Sequence, residues 1–247
     1  MKDKNSNCKF SEKIKDDNIS LYRADAYEMI EEFKKENIVF DHIITDPPYN
    51  ISQKNNFHTM KSADRKGIDF GKRDKDFNLF SWIRPYCELL GKNGSIIIFC
   101  SFRYLSYIAD ELENCNMLVK DVIKWIKTNP MPRNINRRYV QDTEFAIWAV
   151  NKKAKWIFNK PEDISYLRAE FKTPTVLGKE RTKHPTQKSL RLMEDIIKIH
   201  TNENDLIIDP FMGSGTTGIA SKNLNRKFIG IELDPSYFEI AKDRFGL

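Results

Sequence analysis

The sequence predicts an α/β fold, a doubly wound and mostly parallel sheet with helices on both faces. Strand-like apolar segments alternate with amphipathic helical stretches along most of the chain. Ser95-Ile-Ile-Ile-Phe-Cys100 is apolar almost throughout, as in a strand covered on both sides. Near the C-terminus, the run Leu206–Ile208 leads into Gly213-Ser-Gly-Thr-Thr-Gly218, a glycine turn that opens a helix.

Taken in order, residues 1–18 are polar and read as an N-terminal tail, and residues 19–247 read as one domain. Ile19–Arg23 is a strand. Tyr27–Glu36 is a helix, with Met29, Ile30 and Phe33 at helical spacing. Ile38–Thr45 is a buried strand. Leu79–Leu90 reads as a helix stopped by Gly91 and Asn93-Gly94. Ser101 is placed to cap a helix over Tyr104–Asn114. Val119–Ile126 and Thr143–Val150 are strand-like. A helix runs from Thr186 to His200 with Leu190, Met193, Ile196 and Ile197 on one face. Strand Leu206–Ile208, helix Thr217–Leu224, strand Phe228–Glu232 and helix Pro235–Phe245 complete the order. Three polar or basic stretches interrupt the alternation, at 50–78, 127–142 and 151–183, and long connections of that kind commonly carry function.

Composition narrows the classes. Of 247 residues, 40% are hydrophobic and 12% aromatic, enough for a sizeable core and too much for a disordered chain. No long uncharged apolar run suggests a membrane span, and the first residues lack the apolar stretch of a secretion signal. The 41 Lys and Arg against 35 Asp and Glu leave a net charge of +6, which suits a polyanionic partner or simply a soluble basic surface. Cys8, Cys87, Cys100 and Cys115 form no Cys-x-x-Cys pair and do not cluster with His at zinc spacing. A reduced, cytoplasmic protein with no metal is expected.

Two motifs carry chemistry. In Asp209-Pro-Phe-Met-Gly-Ser-Gly-Thr-Thr-Gly218, the glycines let the backbone turn tightly and approach a ligand. Glu232 ends the next strand, where an acid can hold both hydroxyls of a ribose. Together they indicate an adenosine-bearing cofactor, against the alternative of a tight turn with no ligand. A nicotinamide oxidoreductase usually builds its sheet after such a unit. Here only Leu233–Leu247 follow, so the cofactor half is written last, a circularly permuted order. The second motif, Asp46-Pro-Pro-Tyr49, ends the strand Ile38–Thr45, on the edge where open α/β sheets bind ligands. An exocyclic amine on a base is a poor nucleophile because its lone pair is delocalised into the ring. The Asp46 carboxylate and the Pro47 carbonyl, its direction set by tandem Pro47 and Pro48, can accept from the two N–H groups and localise that lone pair. Tyr49 can stack on a base swung out of a duplex. The bland alternative is a proline turn with a solvated Asp and a packing Tyr.

In this order the two motifs resemble those of DNA amino-methyltransferases that use S-adenosylmethionine, specifically the β group of adenine-N6 enzymes. His184-Pro-Thr-Gln-Lys-Ser189, just before the cofactor strand, resembles a third motif of that group, and the likeness spans about residues 19–247. It implies the methyltransferase-type sheet with circularly permuted motifs, and methyl transfer to N6 of a flipped adenine in double-stranded DNA. It also implies a cofactor pocket of Asp25, Asp46, His184, Lys188, Asp209, Phe211, Gly213, Gly215 and Glu232. Asp25 reads equally as a helix N-cap, and His184 and Lys188 as the start of a Thr186-capped helix.

Arg133, Arg137, Arg138 and Tyr139 combine the cations and aromatic ring of a nucleic-acid groove, and Asn129, Asn134 and Asn136 can read adenine edges; a solvated basic loop is the plain alternative. The 50–78 stretch, which carries Lys54, Lys61, Arg65, Lys66, Lys72 and Arg73, follows the tetrad and could close over an extruded base. Residues 151–183 are too short for a core of their own, so recognition would be spread over loops and a homodimer could complete the DNA surface. Cytosine N4 is the nearest rival target, with Asp rather than Ser at position 46 leaning toward adenine. An RNA base or protein glutamine, a nicotinamide oxidoreductase and a non-catalytic DNA-binding module are the remaining alternatives.

Overall fold

Apolar alternation and capping residues set most of the elements in the structure, a computed structural model that describes residues 10–16, 18–48, 78–132 and 135–247. Its elements are β1 (Phe10–Asp16), β2 (Ile19–Ala24), α1 (Ala26–Lys35), β3 (Phe40–Thr45), α2 (Ile83–Cys87), β4 (Leu90–Cys100), α3 (Leu105–Asn114) and β5 (Met117–Lys127). They continue with β6 (Thr143–Asn151), β7 (Glu170–Thr173), α4 (Leu190–His200), β8 (Leu206–Asp209), α5 (Thr216–Asn223), β9 (Lys227–Glu232) and α6 (Pro235–Phe245).

The strands form one sheet in the order β1-β2-β9-β8-β3-β4-β6-β5-β7. The run β2-β9-β8-β3-β4 is parallel. Strands β1 and β6 pair antiparallel to their neighbours. The expected mostly parallel sheet is present, with helices on both faces. Met29, Ile30 and Phe33 of α1, Ile83 of α2 and Ile108 and Leu112 of α3 join one core. Met193 and Ile196 of α4, Ala220 of α5 and Phe238 and Phe245 of α6 join the other. Chain direction across the sheet reverses between β3 and β8. From β3 the chain crosses to β4, from β8 to β9 on the opposite side. The crevice beyond the carboxyl ends of such a strand pair is where doubly wound sheets bind ligands.

Four expectations need correction. Residues 10–16, expected within the polar tail, form edge strand β1. Phe10 packs edge-on against Tyr22 at 5.5 Å, and Arg23 donates to Ser11 Oγ at 2.7 Å. Its Glu12, Lys13, Lys15 and Asp16 dilute the apolar signal, yet charges are what protect a sheet edge from a stray strand. Second, the helix expected over Leu79–Leu90 is helical only over Ile83–Cys87. Leu90 instead pairs with Phe40 and starts β4, so Gly91–Gly94 lie in extended chain rather than in a stop signal. Third, Ser101 accepts from Arg103 and caps a short 3-10 turn, Phe102–Tyr104, that leads into α3. Finally, residues 151–183 contribute one strand, β7, parallel to β5 and tied to it where Trp125 Nε1 donates to Thr173 Oγ1 at 2.7 Å.

Candidate active site

A cleft of about 990 Å³ lies over the carboxyl ends of β3 and β8. Both motifs reach it: Asp46, Pro47 and Pro48 from the end of β3, Asp209 to Gly213 from the end of β8, and Glu232 from the end of β9. Tyr49 and residues 50–77 lie outside the described residues, as do Arg133 and Asn134.

Asp209 holds the two motifs together. It is fully buried; its Oδ1 accepts from Thr45 Oγ1 at 2.6 Å and from Phe211 N at 3.1 Å, and its Oδ2 from Thr217 Oγ1 at 2.8 Å. Burial pushes its pKa up to about 6, against the pull of those three bonds. Both oxygens are committed to shaping the turn, so Asp209 acts on the cleft mainly by fixing its floor. Beyond it, Gly213 and Gly215 take left-handed backbone at φ +52° and +76°, which side chains rarely adopt. A Cβ on Gly213 would stand 2.8 Å from His184 Nε2, so the His184 ring closes directly over the loop. Phe211 packs edge-on against Trp82 at 5.2 Å and walls the cleft.

Glu232 faces the same loop. Its Oε2 accepts from Gly213 N at 3.0 Å and its Oε1 from Asp234 N at 2.7 Å. A carboxylate oxygen accepts more than one hydrogen bond, so this orienting pair is compatible with a diol on the same carboxylate. Asp25 has a structural role and also borders the cleft. It caps α1, accepting from Tyr27 N at 2.7 Å, and it lines the cleft.

The segment 184–189 departs from its helical expectation. The helix begins at Leu190, and Thr186 is not its cap. Gln187 is drawn inward, its Oε1 accepting from Thr182 N and Oγ1 at 2.9 and 2.8 Å and its Nε2 donating to Glu180 O at 2.8 Å. Lys188 is also buried, its side chain 7% exposed, and bonds directly to Asp46 Oδ2. Its ammonium also lies 3.2 Å from Glu144 Oε2, and Glu144 Oε1 lies 2.6 Å from Lys127 Nζ. Burial disfavours the Lys188 charge, but the two carboxylates outweigh it and raise its pKa. Burial likewise opposes ionisation of Glu144, and the two ammonium groups hold its pKa below the usual value. Sequence reasoning misses Lys127 and Glu144 as site residues; the available signal is a pair of opposite charges at the facing ends of two strand-like runs.

His184 packs edge-on against Tyr237 at 4.4 Å, and its Nδ1 is buried without a hydrogen-bond partner among the described residues. Burial and the nearby Lys188 push its pKa down to about 4. On the other side of the molecule, burial and His42 push His200 to about 3. Between pH 6.5 and 4 an unfolded chain binds protons at both imidazoles that the folded chain refuses, so stability falls as pH falls. Asp209 has the opposite sign: the folded chain keeps its proton up to about pH 6, offsetting one of the two. The expected net loss from pH 7 to 5 is on the order of 2 kcal/mol. Thermal unfolding across that range reads it, and His200→Gln should flatten the slope; a slope unchanged by the substitution would count against the assignment.

Among the basic loop residues, Arg138 lines the cleft mouth, Arg137 is exposed, and Tyr139 is 96% exposed. Asn129 is used differently from its expected base-reading role. Its Oδ1 accepts from Thr175 N at 2.6 Å and Oγ1 at 2.9 Å, pinning the loop to the chain after β7. Among the described residues no group of His, Cys, Asp or Glu is placed to hold a metal, and no helix is long and apolar enough to cross a membrane.

A family model described as DNA methylase, covering N6 and N4 enzymes, matches residues 40–243, a span that contains both motifs and most of the residues lining the cleft. The chain belongs to this DNA methylase family. The DNA methylase is 35% identical over 245 residues to the Type II methyltransferase M2.LlaDCHI of Lactococcus lactis subsp. cremoris, covering 92% of this chain and 89% of that one. It is 34% identical to the Type II methyltransferase M2.MboI of Moraxella bovis, covering 93% and 88%. Among solved structures it resembles M1.HpyAVI in complex with SAM, with a TM-score of 0.79 and 54% identity over 93% of this chain and 100% of that one. The cytosine-N4-specific PvuII DNA methyltransferase shares the fold, with a TM-score of 0.72 at 20% identity over 96% and 90% of the two chains.

Proposed function

We propose that this DNA methylase transfers a methyl group from S-adenosylmethionine to N6 of an adenine swung out of duplex DNA at a specific site. The observation that carries the reading is the convergence of Asp46-Pro47-Pro48 and the glycine loop with Glu232 on one cleft, across β3 and β8. The residues fit the cofactor. Left-handed glycines leave a backbone cradle, an oriented acid ends β9, and the His184 ring lies over the loop with its buried Nδ1 unpartnered among the described residues. Bound there, S-adenosylmethionine supplies a methyl already activated on a sulfonium.

The chain's own residues do the rest. Glu232 holds the ribose diol. Asp25, Phe211, Gly213, Gly215 and His184 enclose the remainder, and Asp209 keeps the loop in shape. Asp46 and the Pro47 carbonyl accept from the two N–H groups of the target amine, aim its lone pair, and offset the positive charge that develops on nitrogen. Pro48 fixes the direction of that carbonyl, and Tyr49 stacks on the base. Transfer is direct and in line, because none of these side chains has to accept the methyl. The excess proton leaves the amine after attack. A second copy of the chain is the partner this reading adds, and sedimentation as a monomer at working concentration would remove it.

The deciding experiment incubates the protein with labelled S-adenosylmethionine and unmethylated duplex DNA, digests the product and identifies the nucleoside. N6-methyladenine is expected; N4-methylcytosine would move the target to the rival base. Glu232→Ala should weaken cofactor binding by about 1.5–3 kcal/mol, because the substitution removes a charge-assisted hydrogen bond to the ribose. Unchanged affinity by calorimetry in a folded variant would sink that role. Arg137 and Arg138 are assigned to phosphates. Replacing both by Ala should lower the slope of log affinity against log salt by about 0.9 for each phosphate no longer neutralised. A wild-type slope in the double variant would take the loop off the phosphate track.

A further inference from the structure

We propose that Glu144 is a positioning residue for methyl transfer, acting on Asp46 through the buried ammonium of Lys188. The inference rests on Asp46 being the acceptor for the target amine, and it adds a residue from a different strand to that site.

Four groups of alternating charge run in line. Asp46 stands at the end of β3, Lys188 before α4, Glu144 near the start of β6 and Lys127 at the end of β5. A lysine side chain has four flexible torsions and by itself holds a partner loosely. Here the ammonium is gripped from two sides, by Asp46 and by Glu144 at 3.2 Å, with the Phe99 ring 5.2 Å away. Glu144 is held in turn by Lys127 at 2.6 Å, and Lys127 is fixed to the sheet because its backbone N–H donates to Asp142 O at 2.7 Å. That chain of contacts ties the Asp46 carboxylate to the rigid β5–β6 pair. With Glu144 neutral, Lys188 loses that anion and closes more tightly on Asp46. It then competes with the target amine for the carboxylate, and its bracing against the sheet is lost.

The test compares wild type, Glu144→Gln, Glu144→Asp, Lys127→Met and Asp46→Asn. The assays are single-turnover methylation of unmethylated duplex DNA at saturating cofactor and S-adenosylmethionine binding by calorimetry, all below each variant's melting temperature. Glu144→Gln should slow transfer tenfold or more while cofactor affinity stays within twofold, and Glu144→Asp, which keeps the charge, should recover most of the rate. A merely structural ion pair would lower the melting temperature and leave the single-turnover rate alone. A wild-type rate in folded Glu144→Gln overturns the proposal, as does a rate loss matched by an equal loss of cofactor affinity. If Glu144→Gln does not fold, Lys127→Met is read instead, with a threefold or greater slowing expected and a wild-type rate overturning. Asp46→Asn separates the two levels. If it is inactive while Glu144→Gln is fully active, only the role of Glu144 falls; if it is fully active, the reading of Asp46 falls with it.

Discussion

Replacing Asp46 by Ala is expected to slow methyl transfer by about 100- to 1,000-fold, the range seen when one preorganised partner of a developing charge is removed. Binding of S-adenosylmethionine should change far less. Asp46 is held by Lys188 at the end of β3, whereas the glycine loop and Glu232 stand across the cleft on β8 and β9. Single-turnover assays with saturating cofactor, alongside calorimetry, separate the two effects. A folded Asp46→Ala protein that methylates DNA near the wild-type rate would remove the assigned catalytic centre altogether.

Replacing Lys188 by Met is expected to carry the largest cost in stability. The change leaves Asp46 and Glu144 beside each other with the cation between them gone. Breaking a buried pair by removing one partner costs about 3–5 kcal/mol. The side chains of Asp46 and Glu144 are 23% and 28% exposed, and water screening favours the lower end. About 3 kcal/mol in a domain of this size corresponds to a fall of roughly 6–12 °C in Tm. The deficit should shrink as pH is lowered and the carboxylates take up protons, because the repulsion then disappears. An unchanged Tm, or a deficit independent of pH, would mean that the ammonium does not bind the two carboxylates together.

The parts of this site that were legible in the sequence are those encoded within a few residues. The Asp46-Pro47-Pro48 turn and the glycine loop are local: their backbone demands are met by prolines and glycines at fixed offsets, and each follows an apolar strand. Helix α1 was equally readable, since Met29, Ile30 and Phe33 face one core and Asp25 caps the start. What was not legible depends on convergence. The resemblance places Lys188 in the cofactor pocket, but nothing local in the sequence names its ion partners. Only the folded sheet brings it to Asp46 on β3 and Glu144 on β6. Strand β1 was hidden for the opposite reason: its charged residues are those of an edge, and its apolar Phe10 and Ile14 are too few to stand out. The helix expected over Leu79–Leu90 failed at its end because Leu90 has a strand partner in Phe40, which local pattern does not reveal.

The permuted order of the sheet has a consequence for how the chain reaches this shape. Strand β2 is an early segment, yet its parallel neighbour is β9, with Ile19 opposite Phe228 and Arg23 opposite Glu232. Strand β3 likewise waits for β8. On the ribosome, β3, β4, β5 and β6 can assemble among themselves, while β1 and β2 have no place on the sheet until β9 has emerged. Closing so large a loop is entropically expensive and slow, and it leaves an apolar strand such as Ile19–Ala24 exposed in the meantime. The β8–β9 part of the sheet is therefore the last to become native, and a nascent chain cut before Lys227 would carry the Asp46-Pro47-Pro48 turn without β9 and Glu232.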